Sequence, residues 1–429
     1  MGVLLAFALL VILMYKKVPI LVAAPVCAAL MALLSGLNVL GTLTGDYMDA
    51  MVGFIKSYFI LFLICAIFGR IMDVSGAAYS IGNWLGSRLG ARYAIWGVSV
   101  AAFVLTYGGV SCFVLVFAIY PIALVLFKEA NISRKLIPGA IAAGAFTAPN
   151  ILWGSPGLCN VIPTTYLGTT VKAAPLVSVI CSIFFYLSAN IYLIYENRRM
   201  QKKGECFIPT EKISKLLKES AEKKAISPVV GLVPIAVIII VLNGFNMDVN
   251  IAMLCGVIAG YILFWKNIND KMDTLVVGAQ NAIGSIMNTS TAVGIGGVAK
   301  ITSTFTSLVN WVSNFSGSPL ISWAVAVTVI SGACGSGSGG VALACSTLAD
   351  KYLAMGVNPE ILHRIASCAC IVLDSLPWNG VMITTMAACD LTHKEAYKHL
   401  FMITVVLAFV NLCLCVGLGL MYINHKNTF

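Results

Sequence analysis

Charge is scarce in this chain: only 10% of its 429 residues are Asp, Glu, Lys or Arg, against 59% hydrophobic. A soluble domain carries about a quarter charged residues, so a water-soluble enzyme or binding module is excluded. Histidine is limited to four residues, and neither H-E-x-x-H nor C-x-x-C occurs. A zinc hydrolase or a thiol redox centre therefore has no motif to rest on, and no enzyme activity, metal or cofactor is expected. The glycine-rich stretches lack a G-K-[ST] ending, which excludes a nucleotide-binding loop. Short alternating segments are also missing, so a transmembrane barrel does not fit. Most of the cysteines, such as Cys65, Cys181, Cys255, Cys413 and Cys415, sit in apolar runs, where they read as small side chains between helices.

What is present is a set of apolar stretches near membrane-spanning length: about 2–15, 18–41, 50–72, 173–195, 228–243, 248–265, 274–299 and 396–422. Gly2 to Met14 has no preceding basic residues and no small-residue cleavage site, so it reads as a retained span rather than a signal peptide. The net charge of +10 is unevenly placed. In the topology that follows, 21 of the 27 Lys and Arg fall on one side, including nine between Arg198 and Lys224. That side is cytoplasmic by the positive-inside rule, which puts both termini outside a bacterial inner membrane. No nucleic-acid partner is implied.

The chain is written twice. Asn83, Trp84, Gly90, Trp96, Gly108, Ser111 and Asn131 recur as Asn310, Trp311, Gly317, Trp323, Gly335, Ser338 and Asn358, all at an offset of 227. The expected fold is an all-α polytopic membrane protein of two repeats, 1–195 and 228–429, joined by a charged cytoplasmic linker, 196–227, with a surface helix over Glu211–Lys224. Each repeat has three spans, a re-entrant hairpin, a broken helix and a final span. An odd number of crossings per repeat makes the topology inverted, as in secondary transporters. A segment bearing Arg88 and Arg92 reads as an amphipathic helix at the inner interface. Scaffold is expected from 1–73 and 228–299, and a moving part from 94–195 and 319–422.

The first hairpin has arms Ala94–Leu105 and Cys112–Phe127 around a tip at 106–111. The second has arms Pro319–Ile330 and Val341–Met355 around a longer tip, 331–340. Proline breaks the following helices at Ala148–Gly157 and Asp374–Gly380. Unwound backbone at membrane depth is tolerated only where it is buried or lines a polar cavity. Helix N-termini and hydroxyls there suit an anion, and carbonyl and carboxamide oxygens suit a small cation.

Candidate substrate-binding residues are accordingly Thr106, Gly108, Gly109, Ser111, Asn150, Ser336, Gly337, Ser338, Gly339, Ser375 and Asn379. Ser336-Gly337-Ser338-Gly339-Gly340 carries the strongest signal, because glycine admits close approach and each serine can donate to a carboxylate; tight helix packing is the competing reading. Asp374 is the candidate ion-coupling residue, with Thr147 its counterpart in the first copy. A carboxyl at a break inside an apolar run carries a proton, pairs with a bound cation, or caps the next half-helix. His363 and Arg364 read as interface anchors near the outer face, and Arg70 with Asp73 as an ion pair.

Leu362-His363-Arg364-Ile365, Leu373-Asp374-Ser375-Leu376-Pro377 with Asn379-Gly380, and Leu391-Thr392-His393-Lys394-Glu395-Ala396-Tyr397-Lys398 resemble the gluconate permease family. Within it the chain is most similar to permeases for short hydroxy acids such as 3-hydroxybutyrate. The detailed match covers roughly the last hundred residues, and Trp378 stands where relatives carry His. The resemblance implies an ion-transporter fold, a homodimer with an elevator mechanism, and cation-coupled symport of a small organic anion, by proton rather than sodium. Sodium coupling, anion exchange and a passive anion channel are the alternatives; a channel would want a ring of charge that one Asp does not make.

Overall fold

The computed structural model describes residues 2–16, 18–89, 93–110, 112–210, 213, 226–303, 307, 318–334, 336–376 and 379–426. Gly90, Ser111, Asn310, Trp311, Gly317, Gly335 and Trp378, with the expected linker helix apart from Ile213, lie outside the described residues. Among the described residues every regular element is helical.

Three helices open the chain: α1 (Gly2–Tyr15), α2 (Ile20–Leu34) and α3 (Met48–Val74), the last preceded by a π-helical turn at Leu43–Tyr47. The amphipathic segment forms α4 (Ala77–Leu89), with the Arg88 guanidinium 5.8 Å over the Trp84 ring. The hairpin follows as α5 (Ala94–Tyr107) and α6 (Cys112–Glu129), then the broken helix as α7 (Ile137–Ala145) and α8 (Leu158–Leu167), then α9 (Pro175–Lys202). The second half runs in the same succession: α10 (Pro228–Ile239), α11 (Val249–Leu263), α12 (Lys271–Lys300), the hairpin α13 (Pro319–Cys334) and α14 (Gly337–Ala354), the broken helix α15 (Pro359–Ala369) and α16 (Gly380–Ala388), and finally α17 (His393–Phe401) and α18 (Ala408–Lys426).

Three described helical stretches, Val39–Val74, Pro175–Lys202 and Lys394–Tyr422, are long and apolar enough to cross a bilayer, and several others are apolar but shorter. Helix starts carry the expected chemistry. Asp248 and Asp270 accept from Asn250 N and Asp273 N at 2.8 Å each, and proline opens α9, α10 and α15 where a missing N–H costs nothing.

The third helices of the two halves lie against each other through glycine. A Cβ on Gly278 would come within 3.0 Å of Ile67, one on Gly294 within 2.7 Å of Tyr47, and one on Gly297 within 2.3 Å of Asp46 O. Bare backbone on α12 thus lets α3 approach closely, which is how membrane helices gain contact without a hydrophobic drive.

Two boundaries differ from expectation. The second hairpin has no long tip: Ser331–Cys334 stays helical and α14 begins at Gly337. A Cβ on Gly340 would fall 2.3 Å from Ser331 Cα, so glycines that read as loop are the packing surface of two close helices. The second break begins at Cys370, four residues before Asp374, while the first contains a helical turn, Ala148–Ile151.

Candidate functional site

Both hairpins and both breaks open onto one cavity of about 990 Å³. Of the sequence candidates, Thr106, Gly109, Asn150, Ser336, Gly337, Ser338, Asp374, Ser375 and Asn379 line it. Gly108, Gly339 and Thr147 do not, and Ser111 lies outside the described residues.

Each excluded residue has another contact. Gly108 packs on α10, where a Cβ would meet Ile235 at 2.7 Å. Gly339 gives its N–H to Ser336 Oγ at 3.2 Å, which makes Ser336 the N-cap of α14. Thr147 is buried at the start of the Ala148–Ile151 turn.

At the first tip, Gly109 has φ +89°, and a Cβ there would sit 2.7 Å from the Met253 methyl carbon. The positive φ is what favours glycine here, since the flexible Met253 side chain can shift. Thr106 is 6% exposed, and its hydroxyl has no hydrogen-bond partner among the described residues. In the first break the Asn150 amide donates to Ala145 O at 3.2 Å and Phe146 O at 3.1 Å, satisfying carbonyls freed at the end of α7. In the second, Asn379 Oδ1 accepts from Val381 N at 2.6 Å and Met382 N at 3.2 Å, capping α16.

Asp374 joins the second break to the second hairpin. It accepts from Ser375 Oγ at 2.7 Å. A Cβ on Gly337 would lie 2.7 Å from Asp374 Oδ2 and 3.3 Å from Cys159 Sγ. The carboxylate therefore sits at the positive end of α14, reached only because residue 337 has no side chain.

The sequence reading missed a whole wall of the cavity. Gln280, Asn281, Ser285, Asn288 and Thr289 line it from α12. Their spacing puts them on one helical face, a signal present in the sequence but passed over because the segment read by length as scaffold. The cavity also reaches Val18–Ile20, between α1 and α2, and Arg70 and Asp73, which form the expected ion pair at 3.3 Å.

His363 and Arg364 are not interface anchors: both are fully buried. Arg364 donates to Ile151 O at 2.7 Å, Asn160 Oδ1 at 3.0 Å and Ala173 O at 2.7 Å. The His363 ring bonds Asn160 Oδ1 at 3.0 Å and Thr169 Oγ1 at 2.7 Å. Asn160 in turn donates to Ser155 O and Val171 O, both at 2.9 Å. A polar knot beside the cavity thus ties α15 of the second half to the break and α8 of the first.

Among metal-ligating side chains, the Cys181, Cys368 and Cys415 sulfurs lie within 4.8 Å of one another, away from the cavity.

No protein-family model matches the chain. It is 33% identical over 449 aligned positions to an uncharacterized transporter of Bacillus subtilis, YxjC, covering 94% of this chain and 95% of that one. It is 23% identical to an uncharacterized transporter of Haemophilus influenzae over 78% of each. Among solved structures it is similar to the Alcanivorax borkumensis YdaH transporter, described as having an unusual topology, with a TM-score of 0.58, 12% identity and 88% of each chain covered. That likeness concerns the fold alone.

Proposed function

The chain belongs to the transporter family that includes YxjC of Bacillus subtilis, and on that premise we propose that it is a secondary active transporter for a small organic anion. The observation that carries this reading is the single cavity into which Thr106 and Gly109 of one hairpin, Ser336 to Ser338 of the other, Asn150 of one break and Asp374 to Asn379 of the other all open. Broken helices facing each other across a membrane protein make a binding site without fixed cations. Donors at helix N-termini favour a carboxylate, and the amides and hydroxyls of α12 and Asn150 favour hydroxyl groups on the same molecule.

The substrate class is a hydroxy-monocarboxylate, either gluconate-like or short like 3-hydroxybutyrate. Asp374 is the coupling residue and a proton the coupling ion, because the carboxylate lies in the cavity and, among the described residues, bonds a serine hydroxyl and no cationic side chain. The halves act as inverted-topology repeats. The hairpins and broken helices move as a body in an elevator cycle against α1–α3 and α10–α12, within a homodimer in the bacterial inner membrane. With the linker cytoplasmic, the cavity wall at Val18–Ile20 and Arg70 lies toward the cytoplasmic side.

Reconstituted full-length protein tests the reading. An imposed inward proton gradient should drive labelled gluconate or 3-hydroxybutyrate above equilibrium. Equilibration without accumulation would mean a channel. Accumulation driven by sodium at equal pH on both sides would move the coupling to sodium.

A further inference from the structure

We propose that Asp374 and the substrate carboxylate compete for the same donors at the N-terminus of α14, so that the anion binds only when Asp374 is protonated. This rests on the anion-transport reading and adds the reason coupling is obligatory.

A helix N-terminus has a few N–H groups without partners inside the helix, and with them the positive end of the helix dipole. At α14 this end is already partly occupied. Gly339 N–H goes to Ser336 Oγ at 3.2 Å. A Cβ on Gly337 would lie 2.7 Å from Asp374 Oδ2, so the carboxylate stands against the first residue of α14. The side chain of Asp374 thus stands where an incoming carboxylate would bind, in the same cavity as Ser336 and Ser338. It is an internal occupant of the anion site.

The surroundings supply no charge to spare. The titratable groups facing Asp374 are Cys112 of α6, Cys159 of α8, Cys370 in its own turn and Tyr397 of α17, none of them a cation at neutral pH. Arg70 lines the same cavity but is paired with Asp73. Two carboxylates at one helix end, in a site of low dielectric and without a cation, repel strongly. A protonated Asp374 removes the repulsion at the start of α14 and can itself donate to the substrate.

A second observation marks the cavity as built for a polar ligand. Thr106 lines this cavity at 6% exposure, and its hydroxyl has no partner among the described residues. Buried hydroxyls are seldom left so.

In the resulting cycle one proton from water adds to the Asp374 carboxylate as one monoanion takes the α14 donors. On the other side the anion leaves, the proton returns to water, and the Asp374 carboxylate again occupies the start of α14. No net charge enters the site at either step, and one proton moves with one anion. An ionised Asp374 excludes the anion, so the anion cannot cross alone.

Equilibrium binding of gluconate and of 3-hydroxybutyrate to the purified full-length protein, without sodium, between about pH 5 and 8 tests this; both acids stay ionised there. For the probe that binds, the wild-type Kd should rise about tenfold per pH unit over the range in which Asp374 ionises. Asp374→Asn should bind with the tight low-pH Kd at every pH. Independently of any variant, wild-type protein in weak buffer should take up one proton per anion bound.

A wild-type Kd that does not change with pH, or binding with no proton uptake, overturns the competition. So does Asp374→Asn that is folded by size exclusion but weaker than wild type at every pH, since Asp374 would then be a ligand rather than a rival. If neither probe binds wild type at any pH, the anion reading itself falls, and the competition with it.

Discussion

Arg364 Nη1 donates to Asn160 Oδ1 at 3.0 Å inside the protein, joining two residues that the chain separates by 204 positions. One belongs to the broken helix of the second half and the other to that of the first. The bond holds the two breaks in register beside the cavity, so the site's geometry depends on a residue that does not touch the cavity.

Arg364→Leu should therefore unfold or misassemble the protein. It leaves the acceptors on Ile151, Ala173 and Asn160 without that donor, each costing about 1–3 kcal/mol. Arg364→Lys should not rescue, because one ammonium cannot reproduce the guanidinium fork. Melting of the detergent-solubilised variants measures this; a Lys variant as stable as wild type would show that charge alone matters there.

Gly109→Ala should cost about 1–3 kcal/mol from its positive φ and its approach to Met253. Adding Met253→Ala relieves the clash but not the φ, so recovery should be partial. Full recovery in a thermal melt would assign the whole cost to sterics.

Ser336→Ala and Ser338→Ala should separate structure from binding. Ser336 caps α14, so its loss lowers stability by about 1 kcal/mol as well as weakening anion affinity. Ser338 opens into the cavity without capping, so its loss should raise the Kd with little change in melting temperature. Equal stability losses in the two variants would contradict this division.

Asn281→Leu and Asn288→Leu on α12 should cut uptake several-fold at unchanged expression, because both line the cavity from an exposed helical face. Unaltered uptake kinetics in both would remove α12 from the substrate path.

Lys135 Nζ lies 2.8 Å from Glu205 Oε2. The hydrogen bond from Lys135 holds the Glu205 carboxyl below the usual range. A lowered carboxyl gives stability that is present above its unfolded pKa and is lost as pH falls through the folded one. Protease cleavage near Glu205 should accordingly rise on acidification below about pH 4. In Glu205→Gln it should be faster at neutral pH and insensitive to that change. Both residues are more than a third exposed, so the effect is local and weakens with salt.

Much of the framework could be read from the residues. Helices, hairpins and breaks follow from apolar runs, from proline at Pro149 and from glycine-rich tips, all local properties, and the helices lie within a few residues of the apolar stretches, though only three described stretches are long and apolar enough to span a bilayer. The second tip was misjudged because glycine serves loops and close helix packing alike. Gly340 against Ser331 is decided by a partner helix that no local window contains.

The same limit shaped the site. The sequence by itself determined a hydrophobic, helical membrane chain with interrupted segments, because the bilayer forbids unsatisfied backbone and so constrains every span alike. It also singled out Asp374 and Ser336–Ser338 by their polarity amid apolar neighbours. Only the tertiary structure decided that Asp374 packs against Gly337 at the start of α14, that Arg364 is spent on carbonyls of the other half, and that α12 supplies a polar wall. Those contacts join positions far apart in the chain, and distance in space is a property of packing rather than of any residue or its neighbours.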